Sequence, residues 1–187
     1  MKDTMLNKLV IIGVGLIGGS FALSLRKAGL VKHITGLGRS KENLQQALEL
    51  GIIDEISDNY SQALEKADLV LLAVPVGQTA EILKKINPYL EPQTIISDVG
   101  STKQDVIAAA RSSIPEHFKN FVPAHPIAGA ELSGSSAANA GLFKGKNLIL
   151  TPSDETNSDS IESIQKLWQG CGAHTSLMPP YQHDEML

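Results

Sequence analysis

Leu9-Val10-Ile11-Ile12-Gly13-Val14-Gly15-Leu16-Ile17-Gly18-Gly19-Ser20 decides the architecture of this chain. Residues 9–12 form a short apolar run suited to a buried strand. Glycines at G-x-G-x-x-G spacing follow it without a break. Beyond them, Ile17, Phe21, Leu25 and Ala28 recur at helical spacing until Gly29 ends the pattern. A strand, a glycine turn and a helix in this order make the phosphate-binding corner of a dinucleotide fold. Gly13 permits the tight turn, Gly15 lets the backbone approach a pyrophosphate, and Gly18 lets the helix pack close to the strand. The helix N-terminus offers unpaired N–H groups and a partial positive charge to the phosphates.

Outward from this corner, apolar β runs alternate with amphipathic helical stretches. That pattern predicts a Rossmann-type, doubly wound α/β fold with a mostly parallel sheet. Strands are expected at 33–37, 69–74, 94–98, 147–150 and 173–178, the last closing the sheet, with a proline-bounded run at 121–126. Ser40 is placed to cap a helix that Gly51 stops. Further helices are expected at 61–67, 78–86, 102–111 and 158–169. Residues 130–145 are rich in Ala, Gly and Ser. Residues 1–187 are thus read as one nucleotide-binding domain.

The 187 residues are 42% hydrophobic and 19% charged, enough apolar mass for a substantial core. A net charge of −4 and the lack of any basic run argue against nucleic acid as a partner, because phosphate binding needs a basic surface. The single cysteine, Cys171, excludes an internal disulfide and any multi-cysteine metal site, and no metal is expected. No apolar stretch approaches the roughly 18 residues of a membrane span. Little sequence precedes the first strand to serve as a signal peptide, so the expected compartment is the cytoplasm.

At the end of the second strand, about 20 residues past the fingerprint, NAD sites carry an acid for the ribose 2′-hydroxyl. Here Gly38-Arg39-Ser40 stands instead. A guanidinium and a hydroxyl suit a 2′-phosphate, which a carboxylate would repel. NADP is therefore the expected cofactor, with NAD as the alternative. Its expected contacts are Gly13, Gly15, Leu16, Ile17 and Gly18 in the fingerprint, Arg39 and Ser40 after the second strand, and Val74 and Pro75 at the end of the 69–74 run.

Two further segments carry chemistry. Ser97-Asp98-Val99-Gly100-Ser101-Thr102-Lys103 lies at the carboxyl end of a buried strand, the edge along which open parallel sheets bind ligands. His125-Pro126-Ile127-Ala128-Gly129-Ala130-Glu131 holds a histidine between prolines, with a carboxylate six residues on. His33, His117 and His174 have no comparable surroundings and read as surface residues.

Taken together, the stretches 9–20, 72–76, 97–103, 125–134 and 142–152 resemble the prephenate/arogenate dehydrogenases of tyrosine biosynthesis, over nearly the whole chain. The resemblance implies an NAD(P)-dependent oxidative decarboxylation of prephenate or L-arogenate, giving 4-hydroxyphenylpyruvate or tyrosine. It implies that His125 takes the proton of the ring hydroxyl, with an ordinary imidazole pKa of about 6.5 suited to neutral pH. It gives Ser101 a hydrogen bond to the same hydroxyl and a part in steadying the histidine. Glu131 becomes a gating carboxylate at the pocket mouth.

Such enzymes continue into a helical domain that builds a homodimer and supplies an arginine for the substrate carboxylate. His183-Asp184 resembles the start of that region, so the chain reads as stopping at the edge of a missing domain, able to hold cofactor and turning over poorly. The alternatives are another small-substrate Rossmann oxidoreductase, such as a β-hydroxyacid dehydrogenase or pyrroline-carboxylate reductase relative, and a dinucleotide-binding module without catalysis.

Overall fold

The fingerprint strand β1 (Leu6–Ile12) lies inside a six-stranded parallel sheet, in a computed structural model that describes residues 5–187. After the glycine turn comes α1 (Leu16–Lys27), then β2 (Val31–Leu37), α2 (Lys41–Glu49), β3 (Glu55–Ile56) and α3 (Tyr60–Leu64). The chain crosses to the other side of β1 with β4 (Leu69–Leu72), α4 (Thr79–Ile86), β5 (Ile95–Asp98), α5 (Gln104–Ser113) and β6 (Phe121–Val122). The strand order is β3-β2-β1-β4-β5-β6, so the order reverses between β1 and β4. Ligands of open α/β sheets sit at such a switch point, outside the carboxyl ends of the strands.

Side-chain alternation along the strands explains why helices cover both faces. Leu9 and Ile11 of β1, with Leu69 and Leu71 of β4, belong to an apolar cluster with Phe21 and Leu25 of α1 and Leu44 of α2. Val10, Ile12, Val70 and Leu72 point the other way, into a cluster with Leu64, Leu83, Ile86 and Val106 from α3, α4 and α5.

The expected closing strand requires a correction. Residues 173–178 do not extend the main sheet. A second, three-stranded sheet forms from β7 (Ala124–Pro126), β8 (Asn147–Leu150) and β9 (His174–Leu177), with β7 and β8 antiparallel and β8 and β9 parallel. The break falls at Pro123, which has no N–H to continue the ladder begun by β6. The carbonyl of Pro123 instead accepts from Thr151 N (3.1 Å), which turns the chain into the second sheet. The crossover from β8 to β9 is α6 (Ser158–Gly170), and the described chain ends in α7 (Pro180–Met186). The two-residue β3 carries too short a pattern to be read from sequence. The 69–74 run stops as a strand at Leu72, which leaves 73–75 free to form a wall.

The small-residue stretch 130–145 packs over α1. Asn139 N donates to Ser20 Oγ (2.9 Å), and Ser24 Oγ donates to Ala140 O (2.9 Å). Gly19 leaves room for Ala138, whose Cβ would lie 2.9 Å from any Cβ built at position 19. Both sheets share one apolar core, in which Trp168 of α6 packs against Phe21 (4.4 Å between ring centroids) and Phe143 (4.8 Å). Trp168→Ala would empty the junction of α1, α6 and the second sheet. It is expected to cost about 3–5 kcal/mol, read as a lower urea midpoint with an unchanged slope.

Candidate active site

The glycine turn does what its spacing requires. Gly13 has φ +98°, and a Cβ there would lie 2.3 Å from the carbonyl oxygen of Ala73. A Cβ at Gly18 would lie 2.4 Å from the carbonyl oxygen of Gly13, so β1 and α1 pack too closely for any side chain at that position. Gly15 faces open space. It is the N-cap of α1 and provides no side-chain cap, and the first turn holds no acidic residue. The N-terminal N–H groups of α1 and their partial positive charge are therefore left for an anionic ligand.

Beside this turn lies a cavity of about 600 Å³. Gly13, Gly15, Arg39, Ser40, Val74 and Pro75 line it, so the structure brings these predicted cofactor contacts together. Leu16, Ile17 and Gly18 do not line it; they form the first turn of α1. The hydroxyl of Ser40 accepts from Asn43 N (3.2 Å) and so caps α2. Arg39 is exposed and has no carboxylate partner among the described residues, whereas Lys85 in the same wall is paired with Glu81 (2.6 Å). Asn43 fixes the rim, donating to Val14 O (2.6 Å) and accepting from Ser135 N (2.8 Å). An open glycine turn, an uncapped helix end and a free guanidinium fit a dinucleotide.

A buried ion pair organises the sheet edge further along. Lys103, wholly enclosed, donates from Nζ to Asp98 Oδ2 (2.5 Å) and to the carbonyl of Ala124 (2.7 Å). Asp98 also accepts from Gly100 N (2.8 Å) and from Ala124 N (3.1 Å). Both backbone groups of Ala124 are thus clamped by one ion pair, and the next residue is His125. Burial pushes the Lys103 amine below its usual range, and the Asp98 carboxylate opposes that shift.

His125 is half-buried, and its ring is engaged on one side. Its Nδ1 lies 2.8 Å from Nε2 of His183, whose Nδ1 lies 2.7 Å from Oδ1 of Asp184. The two imidazoles meet edge to face, with centroids 5.0 Å apart. Asp184 in turn accepts from Lys103 N (2.8 Å) and Gln104 N (2.9 Å), which satisfies the start of α5 from outside the helix. Those backbone N–H groups and His183 outweigh partial burial and hold the Asp184 carboxyl at about 2. Burial comes first in bringing His125 down to about 4, and the nearby Lys103 charge adds to it. The ordinary pKa expected from the sequence is thereby corrected: the ring is neutral, and able to accept a proton, throughout the neutral range.

The family model described as the prephenate dehydrogenase nucleotide-binding domain matches residues 21–177. The chain belongs to this family. It is 40% identical over 185 residues to a prephenate dehydrogenase of Bacillus subtilis, covering 98% of this chain and 48% of that protein. A prephenate dehydrogenase of Aquifex aeolicus, solved with hydroxyphenyl propionate and NAD+, superposes with a TM-score of 0.90 at 34% identity, over 96% of this chain and 62% of that one. An arogenate dehydrogenase of Synechocystis gives a TM-score of 0.87 at 28% identity, over 96% and 62%. The chain therefore spans about half to three-fifths of the length of these relatives.

His125, read from the sequence as a loop residue, lies instead within β7 of the second sheet, opposite Ile149 of β8, three residues beyond the end of β6. Ser101 lies in the loop between β5 and α5, exposed, and makes no hydrogen bond within the described residues. The partner that steadies His125 is His183. Glu131 is exposed in the loop after β7. Of the remaining histidines, His33 pairs with Glu55 (3.1 Å) at the far end of β2.

The sequence pointed to no role for Asp98 or Lys103, and to His183-Asp184 only as resembling the start of the following region. Two opposite charges closing an apolar strand would have been the signal for the first pair. Nothing local signals the second, because 58 residues separate His183 from His125. Among the described residues no cluster of metal-ligating side chains occurs, and no helix is long and apolar enough to cross a membrane.

The lowered pKa of His125 carries a stability consequence. Between about 6.5 and 4 the unfolded chain binds a proton at this residue and the folded chain does not, so stability falls as pH drops through that window. The depressed Asp184 acts lower, contributing stability that is lost as pH falls from 3.8 towards 2. Urea midpoints are expected to decline from pH 6.5 to 4, and His125→Gln should flatten that decline while leaving the lower limb in place.

Proposed function

We propose that this chain carries the cofactor site and the catalytic base of an NAD(P)-dependent dehydrogenase that oxidatively decarboxylates prephenate or L-arogenate. The observation that bears most weight is His125, half-buried and hydrogen-bonded to His183 in the strand that follows the main sheet, whose switch point has an open glycine turn. Names of relatives supply the substrate class. When bound, the dinucleotide supplies the hydride acceptor.

The substrate carbon bearing the hydroxyl loses hydride, and the oxygen on it takes on carbonyl character. His125 accepts the hydroxyl proton as that change develops. The bond to the ring carboxylate then breaks, carbon dioxide leaves, and the electron pair of that bond completes the aromatic ring. The proton returns from His125 to what is now a phenol oxygen, so none is gained or lost overall. Aromatisation provides the driving force, which leaves the protein to align the substrate and manage one proton. Ser101, free in the adjacent loop, is available to the same hydroxyl, and Glu131 to the pocket mouth. Lys103 is enclosed and committed to Asp98, so the substrate carboxylates need another cation. The homodimer belongs to the same proposal and rests on the resemblance alone.

On the same reading, Leu16 and Ile17 present the N–H groups of the first turn of α1 to the pyrophosphate, and Gly18 lets that turn sit against β1. We read the cofactor as NADP, on the strength of Arg39 in the cavity wall, without a carboxylate partner among the described residues. The relative solved with NAD+ makes NAD the alternative. A charge-assisted contact contributes about 1.5–3 kcal/mol. Arg39→Ala should therefore weaken NADP about tenfold or more in calorimetry and leave NAD unchanged. Equal affinity of the unsubstituted chain for both cofactors would reverse the assignment.

The decisive experiment is a steady-state assay of the full-length protein with prephenate and with arogenate, each with both cofactors. His125→Asn in that protein should lower kcat by about 10²–10⁴-fold, the usual scale of general-base assistance, with cofactor affinity little changed. Near-normal turnover would assign the proton to another group.

A further inference from the structure

His183 and Asp184 are absorbed by nothing in the reaction just described, yet they are built into its centre. We propose that they act as a positioning pair that fixes the tautomer of His125, so that Nδ1 carries its proton and Nε2 presents a bare lone pair to the substrate hydroxyl. The role in catalysis rests on the dehydrogenase reading; the tautomer itself does not.

The chain of donors and acceptors runs one way. Asp184 receives two backbone N–H groups from the start of α5, and an ionised carboxylate can only accept. Its Oδ1 lies 2.7 Å from Nδ1 of His183, so that nitrogen carries a hydrogen. In the proposed arrangement the wholly enclosed His183 ring is neutral, with its one proton on Nδ1 facing Asp184. Neutral His183 with a proton on Nδ1 has a lone pair on Nε2. That atom lies 2.8 Å from Nδ1 of His125, which must therefore donate. A neutral His125 that donates from Nδ1 has an unprotonated Nε2.

The charged and titratable groups around His125 are His183 and Asp184 from α7, Lys103 before α5, and Asp98 on β5, which neutralises Lys103. When Nε2 takes the substrate proton, the positive charge formed on His125 is shared through two hydrogen bonds towards Asp184. A third group that orients an imidazole in this way fixes both its tautomer and its direction, as in hydrolytic triads.

Residues 183 and 184 thus complete the site from the C-terminal helix. α7 is anchored by Asp184 on the same helix start that follows the Lys103 clamp. Loss of either residue should leave the cofactor cavity intact, because neither lines it.

Nitrogen-detected NMR of the 187-residue chain, labelled with ¹⁵N-histidine, reads the tautomer directly. At pH 7, His125 should show a protonated Nδ1 and a bare Nε2. His183→Leu and Asp184→Ala should shift it towards the Nε2–H form. His183→Gln, whose amide oxygen can accept in place of Nε2, should fall between. A His125 proton on Nε2 in the unsubstituted chain, or a doubly protonated His183, overturns the proposal, as does an unchanged tautomer in folded His183→Leu and Asp184→Ala.

In the full-length protein the same substitutions should lower kcat roughly 10–100-fold, the range seen when the partner orienting a metal-bound imidazole is removed. KM should move little, and His183→Gln should be the least impaired. A full-length protein inactive on both substrates, but with the expected tautomers, refutes the dehydrogenase reading and leaves the positioning pair standing.

Discussion

The enclosed pair of Asp98 and Lys103 governs how the two sheets of this molecule meet. Taking both charges out of water is costly, and such pairs generally contribute little net stability against an apolar replacement. Here the cost is offset by a set of hydrogen bonds to both charges. Asp98 accepts from Gly100, Ala124 and Lys103, while Lys103 also reaches the carbonyl of Ala124. What the pair fixes is position. Pro123 has ended the main ladder, and Ala124 has both backbone groups held at the tip of β5. The direction in which His125 leaves the sheet follows from that clamp.

The cofactor corner depends on a different constraint, the absence of side chains. Gly13 lies so close to the carbonyl of Ala73, and Gly18 to the carbonyl of Gly13, that an added Cβ at either would overlap backbone atoms. Repairing such a contact means moving main chain, which costs far more than a side-chain rotation. The same economy recurs on the outer face of α1, where Gly19, Ser20 and Ser24 receive the stretch around Ala138 to Ala140. Small residues there let a loop lie flat on a helix that already covers the sheet, and its Gly134 end reaches the rim of the cavity.

Electrostatics then separates the two halves of the site. The glycine corner keeps an open helix N-terminus and an Arg39 unpaired among the described residues, both suited to phosphate. The chemical side spends its helix N-terminus, that of α5, on Asp184. That carboxylate stays ionised well into acid, and the imidazole two steps away stays neutral. One helix start is thus left free and the other is capped by a side chain distant in sequence, which is the asymmetry the proposed function draws on.

The parallel α/β architecture, the glycine corner, and the places of Arg39, Ser40, Val74 and Pro75 in the cavity wall were legible in the chain before it folded, because each rests on local spacing or on a residue type that the backbone demands. The sequence also marked His125, through its prolines and its place after a core strand. Only the tertiary structure decided that 173–178 joins a second sheet, since strand pairing is a long-range choice that a four-residue pattern does not encode. Likewise, only folding brought His183 to His125 and buried Lys103 against Asp98. Those contacts, and the neutral imidazole they produce, depend on distance and desolvation. Neither quantity exists until the chain has closed on itself.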